Sequence, residues 1–208
     1  MEIPGDTHSV IGAVLAGGAG SRMGLSKATV TLLGRPLIAY PLEAVRAAGL
    51  APVVVAKQST ELPDLDAPLL FDRSADRHPL HGVIASLEAG GGRPVIAVAC
   101  DMPLITPGLL AWLARVSGVA VPRVEGVLQP LLARYEAGAL DLLRLAVGDG
   151  QSARRAVSAL MPRLIEEPEL AAFGDPFRLF FNVNDSEHLR RAAVLLQSER
   201  TAAGREGS

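Results

Sequence analysis

The apolar run Val10-Ile-Gly-Ala-Val-Leu15 leads directly into a segment with glycine at Gly17, Gly18, Gly20 and Gly24. The run reads as a buried strand. The glycines admit positive φ and remove the Cβ atoms that would hold a ligand away from the backbone. Between Val14 and Lys27 the charged residues are Arg22 and Lys27, both cations. A bare backbone rich in N–H donors and carrying two cations suits a polyphosphate. The competing reading is a flexible strand-to-helix turn with incidental surface cations.

Two familiar phosphate loops do not fit the spacing. A dinucleotide fingerprint counted from Gly18 needs glycine where Met23 stands. It also needs an acid at the end of the second strand, where this chain has Ala56-Lys57-Gln58. A P-loop needs Gly-Lys-Ser/Thr, and Gly24 is followed by Leu25-Ser26. The loop is of a third kind. Leu15-Ala-Gly-Gly-x-x-x-Arg22-Met-Gly24-x-x-Lys27 resembles the signature of nucleotidyltransferases, and Gly34-Arg-Pro-Leu-Ile38 is a second match to it.

Short apolar segments predict strands at 11–15, 52–56, 69–71, 94–100, 118–121, 128–135 and 179–183. Helical patterns lie between most of them. The first is expected from Pro36 to about Ala48, ended by Gly49. Others are expected over 80–89, 107–116, 136–147, 152–160 and 186–198. Buried strands alternating with helices predict an α/β fold: a Rossmann-like three-layer sandwich with a mostly parallel central sheet flanked by helices. At 208 residues with 49% hydrophobic side chains, a single domain over 1–198 is expected. The polar tail at 199–208 is expected to fray.

In such a sheet ligands bind beyond the carboxyl ends of the strands. Asp101 stands there, after the continuous run Val95-Ile-Ala-Val-Ala-Cys100. A lone carboxylate at that point is suited to Mg²⁺, which takes one or two protein carboxylates and completes its shell with phosphate oxygens and water. Thr106, before Pro107, is the expected cap of the next helix, which leaves Asp101 free. Cys100-Asp101-Met-Pro103 also resembles the metal-binding motif of the molybdenum cofactor guanylyltransferases, the MobA family. Cys100 itself has no basic neighbour in sequence and reads as a small buried hydrophobe.

Further matches to that family lie along the chain. His78-Pro-Leu-His-Gly82 resembles its Gly-Pro-Leu-x-Gly segment, with His78 and His81 where smaller residues are commoner. The resemblance implies that Asp72 and Gly82 lie on the guanosine side. For the two histidines a surface-loop role stands equally open. The family carries asparagine after the Val-Val-Val strand; here Val53-Val-Val55 is followed by Ala56, with Lys57 or Gln58 as candidate substitutes. Phe180-Phe-Asn182-Val-Asn184-Asp-Ser-Glu-His188 resembles the family's Asn-x-Asn element. On a strand, Asn182 and Asn184 would share one face, on the acceptor side or completing a metal shell through water. Asp185 is the expected cap of the last helix. Gln129–Tyr135 and Gly148–Arg155 resemble segments bordering the acceptor, so Arg134, Arg154 and Arg155 are either acceptor contacts or solvated cations.

The resemblance implies transfer of GMP from GTP to the phosphate of molybdopterin bearing molybdenum, with release of pyrophosphate. Arg22, Lys27 and Asp101 would carry the catalysis. Leu15, Ala16, Gly17, Gly18, Lys27, Asp72, Gly82 and Asp101 would bind the nucleotide, with Mg²⁺ on Asp101. Cytidylyl transfer and a non-catalytic nucleotide-binding module are the alternatives. A net charge of −2 and 4% aromatic residues argue against a nucleic-acid partner. The N-terminal residues lack the pattern of a signal peptide, and no stretch is apolar enough for a membrane span. A cytoplasmic monomer is expected.

Overall fold

The computed structural model describes residue 3 and residues 9–16 and 26–206, with 199–206 described as backbone alone. In chain order the elements begin with β1 (Ile11–Leu15), the short β2 (Thr31–Leu32) and β3 (Arg35–Pro36), α1 (Ala39–Ala47), β4 (Ala51–Lys57) and β5 (Leu69–Asp72). Then come α2 (His81–Ala89), β6 (Val95–Ala99), α3 (Pro107–Leu113), β7 (Ala120–Val124), β8 (Val127–Leu128) and β9 (Leu132–Tyr135). The chain continues through α4 (Leu140–Gly148), α5 (Ala153–Ser158), β10 (Arg163–Ile165), α6 (Glu167–Leu170), α7 (Pro176–Leu179) and α8 (Ser186–Glu206).

The main sheet has the order β10-β7-β9-β6-β1-β4-β5, with β8 paired to β7. β1 lies between β4 and β6 and is parallel to both. β5 extends the sheet parallel to β4. β9 runs antiparallel to β6 and β7. β1 and β6 are buried at every position, as strands covered on both faces must be.

Alternate side chains of the strands feed two cores. Val14, Val54, Ile96 and Val98 pack with Leu42 and Val45 of α1 and Leu109, Leu110 and Leu113 of α3. Ala13, Leu15, Val53, Val55 and Ala97 pack with Val83 and Leu87 of α2, Leu143 of α4 and Val157 of α5. The result is the expected three-layer α/β sandwich. A third cluster joins Leu32 of β2 and nearby Leu37 to Val183 and Ala192 of the C-terminal segment.

Several expectations are corrected. The segment 179–183 is not a strand. Asp175 accepts from Phe177 N–H at 3.0 Å and Pro176 follows it, so α7 starts there. The chain then runs irregularly to α8. The segment 128–135 splits into β8 and β9, because Pro130 has no N–H for a ladder. Pro36 pairs in the β2–β3 hairpin, and α1 begins at Ala39, ending before Gly49 at φ +74°. Thr106 occupies the cap position of α3, but its hydroxyl donates to Phe173 O at 3.4 Å and not to the helix. The last helix, α8, extends past the expected 186–198 as far as Glu206. Asp185 does cap α8, accepting from Glu187 N–H at 3.0 Å and His188 N–H at 2.8 Å.

Candidate active site

Parallel pairing brings the chemistry to one edge. Leu15 is in register with Val55 and with Ala99, and Lys57 with Asp72. The residues just beyond these strands, or at their ends, are therefore neighbours: Ala16, Lys57, Asp72 and Asp101. Ala16 N–H donates to Val55 O at 2.8 Å and Cys100 N–H to Leu15 O at 3.1 Å, which carries the pairing one step past the strand ends. They open on a cleft of about 620 Å³, a size suited to a small-molecule ligand.

At its centre Lys27 Nζ donates to Asp101 Oδ2 at 2.6 Å and to Asn184 Oδ1 at 2.7 Å. Lys27 and Asp101 are each 14% exposed. The third member arrives because Val183 N–H donates to Asp101 O at 2.9 Å, while Val183 is anchored in the hairpin cluster. Asp101 Oδ1 is buried and accepts no hydrogen bond among the described residues. A desolvated carboxylate oxygen without a donor is costly unless something else fills its lone pairs. A divalent cation is the group that this donor suits, so the residues fit a divalent metal.

Asp72 forms a second cluster. Its Oδ1 accepts from Ser74 N–H at 2.9 Å and Ser74 Oγ at 2.5 Å, and its Oδ2 lies 3.2 Å from Lys57 Nζ. Burial pushes its carboxyl pKa up, but the Ser74 hydrogen bonds and Lys57 outweigh this and hold it below the ordinary value. Ser74 escaped sequence reasoning. The signal was present as Asp72-x-Ser74, a carboxylate two residues before an N–H it can accept. Gly82 is at the start of α2, and a Cβ there would lie 3.0 Å from Leu15 Cδ2. Glycine at this position lets the helix approach the cleft floor.

The opposite wall is formed by Leu128–Leu132 and by Ser152, Ala153 and Arg154. Arg154 lines the cleft and Arg155 does not. Arg134 is buried, paired with Glu136 and donating to Ala114 O at 3.3 Å, so it is not an acceptor contact. Asn182 lines the cleft and donates to Phe180 O at 3.2 Å. Lys57 is held by Ser74 O and Asp72, while Gln58 is exposed on a turn. Burial first, and then the Asp101 charge, push the Cys100 thiol up, which leaves it inert. Gly17, Gly18, Gly20, Arg22 and Gly24 lie outside the described residues.

Residues 12–164 match the profile of the MobA-like NTP transferase domain. The chain belongs to this family. As a MobA-like NTP transferase it is a nucleotidyltransferase. It is 31% identical over 195 residues to a probable molybdenum cofactor guanylyltransferase of Chloroflexus aggregans, spanning 89% of this chain and 94% of the relative. A relative of the same description from Pelotomaculum thermopropionicum is 31% identical, over 91% of this chain and 95% of its own. Among solved structures, molybdopterin-guanine dinucleotide biosynthesis protein A of Archaeoglobus fulgidus superposes with a TM-score of 0.74 at 26% identity, covering 90% of this chain and 98% of that one. The fold is shared more widely. A 2-C-methyl-D-erythritol 4-phosphate cytidylyltransferase of Thermus thermophilus reaches a TM-score of 0.66 at 22% identity, over 90% and 98% of the two chains. Among the described residues no helix is long and apolar enough to cross a membrane.

Proposed function

We propose that this MobA-like NTP transferase moves GMP from GTP onto the terminal phosphate of molybdenum-bearing molybdopterin. The acceptor oxygen attacks the α-phosphorus, pyrophosphate leaves, and molybdopterin guanine dinucleotide is the product. The observation that carries the reading is the Lys27–Asp101–Asn184 cluster at the carboxyl edge of the sheet, with one Asp101 oxygen buried and without a hydrogen-bond donor among the described residues. Relatives of the same description over nearly their whole length support the choice of substrates.

Phosphoryl transfer of this kind depends on positioning and charge neutralisation more than on proton transfer. Lys27 and Arg22 hold the triphosphate beside the glycine loop, including Gly17 and Gly18. Asp101 would hold Mg²⁺ through Oδ1, and the ion would supply charge stabilisation for phosphoryl transfer. Leu15, Ala16 and Gly82 pack along the nucleoside, and the Asp72–Ser74–Lys57 cluster borders the base. Asn184 orients Lys27, and Asn182 faces the acceptor side with Arg154. The protein acts as a cytoplasmic monomer.

Cytidylyl transfer is the competing reading, favoured by one observation. Ala56 is buried beneath the cleft and offers no side-chain amide to a base. The deciding experiment is pyrophosphate release with Mg²⁺, molybdenum-loaded molybdopterin and each NTP in turn. Acceptor-dependent release with GTP is expected. Release with CTP in its place would keep the chemistry and overturn the base. Nucleotide binding with no release from any NTP would overturn the enzyme reading in favour of a binding module.

A further inference from the structure

His78 links the two walls of the cleft. It lies in the loop between β5 and α2, and its ring reaches the turn between α4 and α5, where Nε2 lies 2.9 Å from Gln151 O. The other ring nitrogen accepts Leu80 N–H at 3.2 Å. A carbonyl oxygen can only accept and a backbone N–H can only donate. Both bonds are therefore satisfied together by one form of the side chain, the neutral imidazole with its proton on Nε2. The ring is further braced by His81, edge to face at 5.8 Å, and His81 Nε2 is in turn 2.7 Å from Asp76 Oδ1.

Both ends of this link are anchored. Leu80 is fully buried in the core beneath α2. Gln151 N–H donates to Ala146 O at 3.0 Å, closing the end of α4. Directly after Gln151, the Ser152 hydroxyl accepts from Arg155 N–H at 3.4 Å and starts α5. His78 and Pro79 line the cleft, and so do Ser152, Ala153 and Arg154. Among the described residues no other hydrogen bond joins these two segments.

We infer that His78 is a positioning residue that sets how far the α5 wall stands from the nucleotide side, and thereby governs affinity for the second substrate. The inference rests on the nucleotidyl-transfer reading above. The contacts named there at Leu15, Ala16, Asp72 and Gly82 come from strand ends and α2. The helix α5 also enters the core through Ala156 and Val157, but Ser152 and Arg154 at its start are exposed. It is a helix of six residues whose start hangs on a turn. Loosening that turn moves Ser152 and Arg154 relative to a bound nucleotide, so an anionic acceptor seated between the walls loses its fit. The nucleotide does not.

The test compares wild type with His78→Asn and His78→Gln. The Asn amide oxygen stands where Nδ1 does and keeps the bond to Leu80 N–H two residues on, but the side chain is too short for Gln151. The Gln amide nitrogen stands where Nε2 does and can still donate to Gln151 O. Both variants are expected to fold, and steady-state rates are measured against GTP and molybdopterin separately. In His78→Asn the KM for the acceptor is expected to rise about fivefold, the effect of losing one neutral hydrogen bond, with the KM for GTP unchanged. His78→Gln is expected to stay within about twofold of wild type. Equal changes in both KM values, a wild-type acceptor KM in His78→Asn, or failure of His78→Gln to restore it would each overturn the role.

Amide hydrogen exchange tests the link itself without any turnover. Faster exchange over residues 151–155 is expected in His78→Asn, with residues 83–87 of α2 unchanged and His78→Gln matching wild type. Unchanged exchange at 151–155 would overturn the link. If wild type releases no pyrophosphate with any nucleotide, the proposed function fails and so does the acceptor role. The link is then judged on exchange alone.

Discussion

Lys27 and Asp101 form an ion pair of 2.6 Å across 74 positions of sequence, and the Asp101 oxygen that faces away from Lys27 is buried without a hydrogen-bond partner among the described residues. One carboxylate oxygen thus meets a cation, while the other has no donor to fill its lone pairs. Lys27→Ala and Asp101→Ala are each expected to lower turnover by about 10²–10³-fold, the scale of losing a charge that stabilises the transition state. Circular dichroism of both variants should match wild type. Chelation with EDTA should abolish turnover, and added Mg²⁺ should restore it. Turnover near the wild-type rate in either variant would sink these roles.

The Asp72 cluster predicts a pH dependence. Its carboxyl is held below the ordinary value of 3.8, so the unfolded chain binds a proton more readily than the folded one. The cluster therefore stabilises the fold at neutral pH, and this contribution is lost as pH falls through the depressed folded value. Asp72→Asn should have a lower urea midpoint than wild type at pH 7. The gap should begin to narrow as the pH falls below 3.8 and should close as it passes through the depressed folded value. A gap independent of pH would show that the hydrogen-bonded shape, and not the charge, is what matters.

Gly82 predicts a binding effect separable from catalysis. A methyl group there would press on Leu15 Cδ2 at 3.0 Å, and Leu15 lines the cleft. Gly82→Ala should raise the KM for the nucleotide severalfold with little change in kcat, the signature of lost uniform binding. The stability cost should be about 1 kcal/mol, read from chemical denaturation. A fall in kcat at constant KM would contradict a purely packing role.

Gly12 sits in the middle of β1 under α1, and a Cβ there would overlap Val45 Cγ1. Gly12→Ala should destabilise the protein by about 1–3 kcal/mol. Adding Val45→Ala makes room, so the double variant should be more stable than the sum of the two single losses predicts. Strict additivity would mean that the strain is relieved elsewhere.

The parts of this protein that were legible in the sequence are those whose signal is local. β1 matches its expected bounds and β6 differs by one residue at each end, because a strand covered on both faces must be apolar at each position. The position of Asp101 on the cleft edge was legible because parallel strands deliver the residues at their carboxyl ends to one edge. Asp185 was recognisable as a cap because its carboxylate meets N–H groups only two and three residues away.

Other features depended on partners distant in the chain. The alternation in Phe180–Asn184 looks like a strand, but a strand exists only if another strand accepts its hydrogen bonds, and here Val183 N–H meets only the turn carbonyl of Asp101. Arg134 stood open between an acceptor contact and a solvated cation, and it is neither, because Glu136 and the Ala114 carbonyl hold it in the interior. Asn184 on Lys27, Lys57 on Asp72, and His78 on Gln151 are each set by the packing of separate elements. Local periodicity and turn chemistry were enough to define the layers and the edge where ligands bind. Which side chains face each other across that edge was decided only when the sheet order and the helix positions brought them within hydrogen-bonding distance, since those bonds reach no further than about 3.5 Å.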